Sequence, residues 1–115
     1  VTKIVLVAFN GDPVCFVHVL LNALDMKSRD YDVKLVVEGS ATGLISDLAS
    51  GANPLAGLYS KVKLAGLISV VCKACSAKMN ALDAVIAEGL PLGGNMSGHP
   101  SLARYVEEGY SIITF

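Results

Sequence analysis

Three short, β-branched apolar runs divide the first two-thirds of the chain: Lys3 to Phe9 (Lys-Ile-Val-Leu-Val-Ala-Phe), Asp32 to Glu38 (Asp-Val-Lys-Leu-Val-Val-Glu) and Leu67 to Cys72 (Leu-Ile-Ser-Val-Val-Cys). Apolar runs of this length without polar alternation read as strands covered on both faces, the pattern of parallel sheets. A helix is expected after each. Asp12 can accept backbone N–H bonds as N-cap, and Pro13 suits the first helical position because its missing N–H is not needed there. Val14, Val17, Leu20, Leu21 and Leu24 then recur at helical spacing, fading near Ser28. Ser40 is placed to cap a short helix carrying Leu44, Ile45 and Leu48, and after the break at Gly51 to Pro54 a further helical face holds Leu55, Leu58 and Val62. Cys75, Met79, Leu82 and Ile86 predict one helix that Gly89 ends as a left-handed residue. Leu90 to Gly98 leaves room for one short strand. Pro100 opens a last helix over Ser101 to Glu108, ended by Gly109, and Ser111 to Phe115 is a terminal strand. Strands alternating with helices at this spacing predict an α/β domain over residues 1–115, a parallel sheet with helices on both faces.

In such sheets ligands sit outside the carboxyl ends of strands, where the winding direction reverses. With the first strand lying between the second and third, the reversal is expected between strands one and three. Composition narrows the classes of ligand. Nine basic against ten acidic residues give a net charge of −1, which offers a polyanion no electrostatic footprint and argues against nucleic acid. The apolar stretches are too short for a bilayer. No leader-like order of basic, apolar and small residues opens the chain, so a cytoplasmic location is expected. Hydrophobic residues reach 53% and charged ones only 17% of 115 residues. A domain this small buries about two-thirds of the surface its unfolded chain exposes, so the surplus predicts a homo-oligomer.

The three cysteines are too few for a disulfide scaffold and read as reduced thiols. All lie just past the expected strands one and three. Cys75 opens a helix, where unpaired N–H groups and a partial positive charge favour a thiolate, and Lys73 and Lys78 push the same way. It is the candidate nucleophile. The competing reading is a small core residue on the Cys75-Met79-Leu82-Ile86 stripe. Cys72 and Cys75 form a CxxC spacing, with Cys72 either a packed strand residue or a resolving thiol. Cys15 shares the helix-start position but has apolar neighbours, and reads as a spacer or a second resolving thiol. His18 shares an apolar helix face and reads as a core or interface histidine.

Asn10, Glu38, Ser97, Gly98 and His99 are the candidate pocket residues. Gly98 lets backbone approach a ligand, and His99 can act as acid or base near the thiol, or simply cap the final helix. No Gly-rich phosphate fingerprint is present. Neither a metal nor a cofactor is expected. The rival using Cys72, Cys75 and either Cys15 or His99 as metal ligands lacks the second CxxC of a structural zinc site.

The opening Lys3-Ile4-Val5-Leu6-Val7, the junction Val70-Val71-Cys72-Lys73-Ala74-Cys75-Ser76-Ala77-Lys78-Met79 and the ending Glu107-Glu108-Gly109-Tyr110 resemble the DsrE/DsrF-like family of small sulfur-relay proteins over nearly the full length. The resemblance implies a single-domain, three-layer, flavodoxin-like parallel sheet, trimeric or hexameric assembly, and sulfur donor and acceptor proteins as partners. It also implies a persulfide-carrying cysteine at the strand-to-helix junction, best matched by Cys75. Ser76-Ala77-Lys78 departs from the Gly-Asn-Ser or Gly-Asn-Thr run of many members. The alternative function is a non-catalytic oligomeric binding or scaffold protein.

Overall fold

The computed structural model describes residues 1–115. In chain order the elements are β1 (Lys3–Ala8), α1 (Pro13–Ser28), β2 (Asp32–Val37), a 3-10 segment (Gly39–Leu44), α2 (Ile45–Ser50), α3 (Ala56–Leu64), β3 (Ile68–Cys72), α4 (Lys73–Lys78), α5 (Leu82–Ala87), β4 (Leu92–Gly93), α6 (Ala103–Glu107) and β5 (Ser111–Thr114). The five strands form one sheet in the order β4-β3-β2-β1-β5, and every pairing is parallel.

The strand order corrects the expected one, because β2, not β1, is central between β1 and β3. Both strands are interior, since β5 covers the other side of β1, so an apolar run marks either one as inner without fixing which is central. From β1 to β4 the chain steps one strand at a time in one direction. Right-handed crossovers then put all the intervening helices on one face. Phe16, Ile45, Tyr59 and Val85, from α1, α2, α3 and α5, accordingly share one core with Leu6, Leu35 and Val71. The final connection runs back to the far edge and must cross the other face. There Tyr105 of α6 packs with Val5, Val7, Val36 and Val70. The winding reversal therefore falls between β3, followed by α4, and β4, followed by the loop into α6.

Two helical faces also differ from expectation. On α1 the buried residues are Phe16, Val19, Leu20 and Ala23, while Val14, His18 and Leu21 are exposed. Adjacent stripes share the helical period, and docking on the sheet selects the one holding the bulky Phe16. The helix expected after Cys72 is two helices. Asn80 takes a left-handed φ of 55°, Ala81 N–H bonds Ser76 O at 2.8 Å and Asn80 N–H bonds Ala77 O at 3.2 Å, which is the Schellman stop. The periodic residues Met79 and Ile86 consequently lie 42% and 58% exposed. Ser40, expected as a cap, lies inside the 3-10 segment and accepts from Gly11 N–H at 2.8 Å.

Candidate functional site

Cys72 has three structural duties. It ends β3, its extended backbone (φ −62°, ψ 122°) makes it the N-cap of α4, and its Sγ accepts from Cys75 N–H at 3.4 Å. The side chain is fully buried, and its thiol donates to Gly98 O at 3.7 Å. Burial, followed by its hydrogen bond with Cys75, pushes the Cys72 thiol up to about 11, so it is protonated at neutral pH. Cys75, the third residue of the helix that Cys72 caps, is only half-buried. With the apolar stripe gone, the reading of Cys75 as one of its core members has lost its neighbours.

His99 arrives from the loop after β4. Ser97 and Gly98 adopt left-handed φ values of 51° and 91°, and Met96 and His99 exchange two backbone hydrogen bonds of 2.8 and 2.9 Å. Ala74 N–H bonds Gly98 O at 2.9 Å, fixing this tight loop to the first turn of α4. Only a residue without Cβ fits Gly98, where a methyl would stand 2.9 Å from the Ala74 Cβ. The result is His99 Nδ1 at 3.1 Å from Cys72 Sγ and 3.6 Å from Cys75 Sγ. The ligating atoms of Cys72, Cys75 and His99 all lie within 4.8 Å of one another.

Glu38 follows the last residue of β2. Val37 pairs with Val71, so Glu38 and Cys72 are lateral neighbours at the carboxyl edge. The carboxylate is 95% buried and Oε2 has no hydrogen-bond partner. Burial raises its affinity for a proton, opposed by the nearby His99 charge.

The remaining sequence candidates lie apart from this cluster. Cys15 is half-buried in the first turn of α1, which leaves β1, and β2 separates β1 from β3. Asn10 Oδ1 accepts from Asp12 N–H at 2.8 Å, a local turn contact. Lys73, Lys78 and Ser97 are exposed. A cavity of about 380 Å³ lies elsewhere, lined by Ser69, Leu92, Asn95, Ser101, Arg104 and Tyr105 among others, with no cysteine in its wall. One supporting residue escaped the sequence reading. Ser76 is fully buried and its hydroxyl donates to Cys72 O at 2.6 Å, tying the end of β3 to α4. A lone serine within a CxxC-S run was the available signal.

Two thiols and an imidazole at a strand-to-helix junction now stand on a five-stranded parallel sheet, and the profile of the DsrE/DsrF-like family matches residues 4–115. This chain belongs to the DsrE/DsrF-like family. Within reach of this DsrE-like chain, uncharacterized protein MJ0733 of Methanocaldococcus jannaschii is 36% identical over 96 residues, covering 84% of this chain and 76% of that protein. An uncharacterized protein of Archaeoglobus fulgidus is 34% identical over 50 residues, 44% of this chain and 82% of its own. BT1422, a conserved protein of unknown function from Bacteroides thetaiotaomicron, has a solved structure that matches with a TM-score of 0.67. At 16% identity over 98% of this chain and 95% of that one, it shares the fold.

Proposed function

We propose that this DsrE-like protein is a sulfur carrier that holds sulfane sulfur as a persulfide on Cys75. The observation that carries the reading is the half-buried Cys75 thiol at a helix start with His99 Nδ1 3.6 Å away. A thiolate there attacks the outer sulfur of a donor persulfide; the new Cys75 S–S bond forms as the donor S–S bond breaks, and the donor leaves as thiolate. His99 takes the Cys75 proton and can return one to the departing sulfur. An acceptor thiolate then attacks the outer sulfur of Cys75–SSH and restores the Cys75 thiolate. Attack by Cys72 on the inner sulfur would instead give a Cys72–Cys75 disulfide and release HS⁻, and the buried, protonated Cys72 is poorly suited to that step. Lys73 and Lys78, on the same short helix, supply positive charge for docking anionic sulfur species.

The protein is further proposed to assemble with copies of itself and to work in the reducing cytoplasm, where three free cysteines persist. No helix is long and apolar enough to cross a membrane. The test is mass spectrometry of chelator-treated, reduced protein after incubation with a small-molecule persulfide. One added sulfur on the Cys75 peptide is expected, lost in Cys75→Ser and retained in Cys15→Ser. Sulfur appearing on Cys15 with Cys75 unmodified sinks the reading.

A further inference from the structure

We propose that Cys72, Cys75 and His99 form a zinc(II) site with one coordination position left open, beside the buried Glu38. Tetrahedral zinc, with bonds of about 2.3 Å to sulfur and about 2.0–2.1 Å to nitrogen, holds neighbouring sulfur and nitrogen ligands about 3.5 Å apart. His99 Nδ1 stands 3.6 Å from Cys75 Sγ and 3.1 Å from Cys72 Sγ, and the three donor atoms converge within 4.8 Å. The two sulfur-to-nitrogen separations therefore lie within about half an ångström of those in a tetrahedral zinc site. Two sulfurs and an imidazole select a thiophilic ion over magnesium or calcium, which need oxygen donors.

The second observation is independent of this triangle. Glu38 is 95% buried as a residue with Oε2 unpartnered, just past the end of the neighbouring strand and beside Cys72. A buried carboxyl oxygen without a hydrogen-bond partner is costly, and Oε2 is left free to bond a group held at the site. Two thiolates and a neutral histidine cancel the zinc charge. Glu38, whose carboxyl feels the His99 charge, then lies beyond the ligands, where carboxylates commonly support a metal site. Binding turns two thiols into thiolates and releases their two protons to solvent.

Three ligands from one chain leave the fourth position for water, a sulfur species or another thiol. This distinguishes the site from a closed structural zinc, which takes four protein ligands. The inference does not rest on the sulfur-carrier reading and stands even if Cys75 never takes up sulfur.

The experiment is titration of the reduced, metal-free full chain with zinc, followed by dialysis and elemental analysis, with cobalt(II) as a spectroscopic probe. One zinc per chain is expected, and cobalt should give thiolate-to-metal charge-transfer absorption with tetrahedral visible bands. Cys75→Ser and His99→Ala should weaken binding more than 100-fold, Glu38→Gln about tenfold, and Cys15→Ser not at all. Circular dichroism of each variant checks folding, and the cobalt spectrum of the unaltered protein needs no variant. Zinc retained below one ion per ten chains, or cobalt bound without charge-transfer absorption, overturns the site. So does retention of zinc by a folded Cys75→Ser protein at undiminished affinity.

Discussion

Two cysteines three residues apart in sequence differ in chemistry because one faces the interior and the other the junction's mouth. The Cys72 thiol is fully buried and pushed up to about 11, chiefly by loss of water. For an acid, a raised value keeps the neutral form, so at pH 8 only about one Cys72 in a thousand is thiolate. Alkylation of chelator-treated protein by iodoacetamide between about pH 6 and 9, read by mass spectrometry, should therefore modify Cys75 while sparing Cys72. Labelling of Cys72 ahead of Cys75 would contradict the burial described here. The sequence identified Cys75 through its helix-start position, a local property that three residues of context suffice to reveal. It did not reveal that Cys72 caps the same helix, because whether a strand's last side chain turns back onto the next helix depends on backbone angles. It named His99 as an acid or base near the thiol, but the distances of that meeting, between residues 24 and 27 positions apart, are set by the loop geometry and the strand order.

At the level of elements, the loop after β4 is held to α4 by one backbone hydrogen bond and one missing methyl group. Gly98→Ala adds a Cβ 2.9 Å from Ala74 Cβ at a φ of 91°. It should cost about 1–3 kcal/mol, seen as a lower midpoint in thermal or urea unfolding, and it should withdraw His99 from the sulfurs. The sequence read Gly98 as room for a ligand, whereas the space it leaves is taken up by α4. A second contact pins α3 to the end of α5. Tyr59 O–H donates to Glu88 Oε1 at 2.6 Å, and Lys63 Nζ lies 3.2 Å from the same oxygen. The tyrosine hydrogen bond, more than the lysine, lowers the Glu88 carboxyl below its usual range. A lowered carboxyl contributes stability above its unfolded value of about 4.3, and that contribution is lost as pH falls through the folded value. Glu88→Gln should thus lower stability by about 1 kcal/mol at pH 7, with wild type and variant converging in acid, once pH falls below the lowered folded value. Urea unfolding at pH 7 and in acid checks the sign. A difference that persists undiminished in acid would show that shape rather than charge holds the pair. Helix existence was legible wherever a cap or stop residue was strong, as at Asp12 and Gly109. It failed at Asn80 because an asparagine in the left-handed conformation ends a helix without interrupting the apolar period.

For the molecule as a whole, composition and exposure meet in one argument. With 53% of its residues hydrophobic, the single chain buries only 31 of 115 residues, so much apolar surface faces outward. The exposure is organised. Val14 and Val17 line a groove of about 400 Å³ with Pro13, Asn53, Pro54 and Leu55, and Leu21, one turn beyond Val17, is 47% exposed. The sequence reading put Val14 and Leu21 on an apolar helical stripe and left open whether core or interface covers that face, because periodicity marks an apolar face without saying what covers it. A second copy of the chain is the covering that the apolar surplus predicts, since adjacent apolar turns on α1 can be buried by nothing else in this fold. Light scattering coupled to size-exclusion chromatography should give a mass at least twice the 12.0 kDa of one chain. The double substitution Val14→Asp with Leu21→Asp should reduce that mass to the monomer while leaving the far-ultraviolet circular dichroism intact, because both are exposed residues outside the buried core. A monomeric wild-type protein at about 100 μM, well above the dissociation constant of a standard-sized apolar interface, would leave α1 facing water and remove the self-assembly reading.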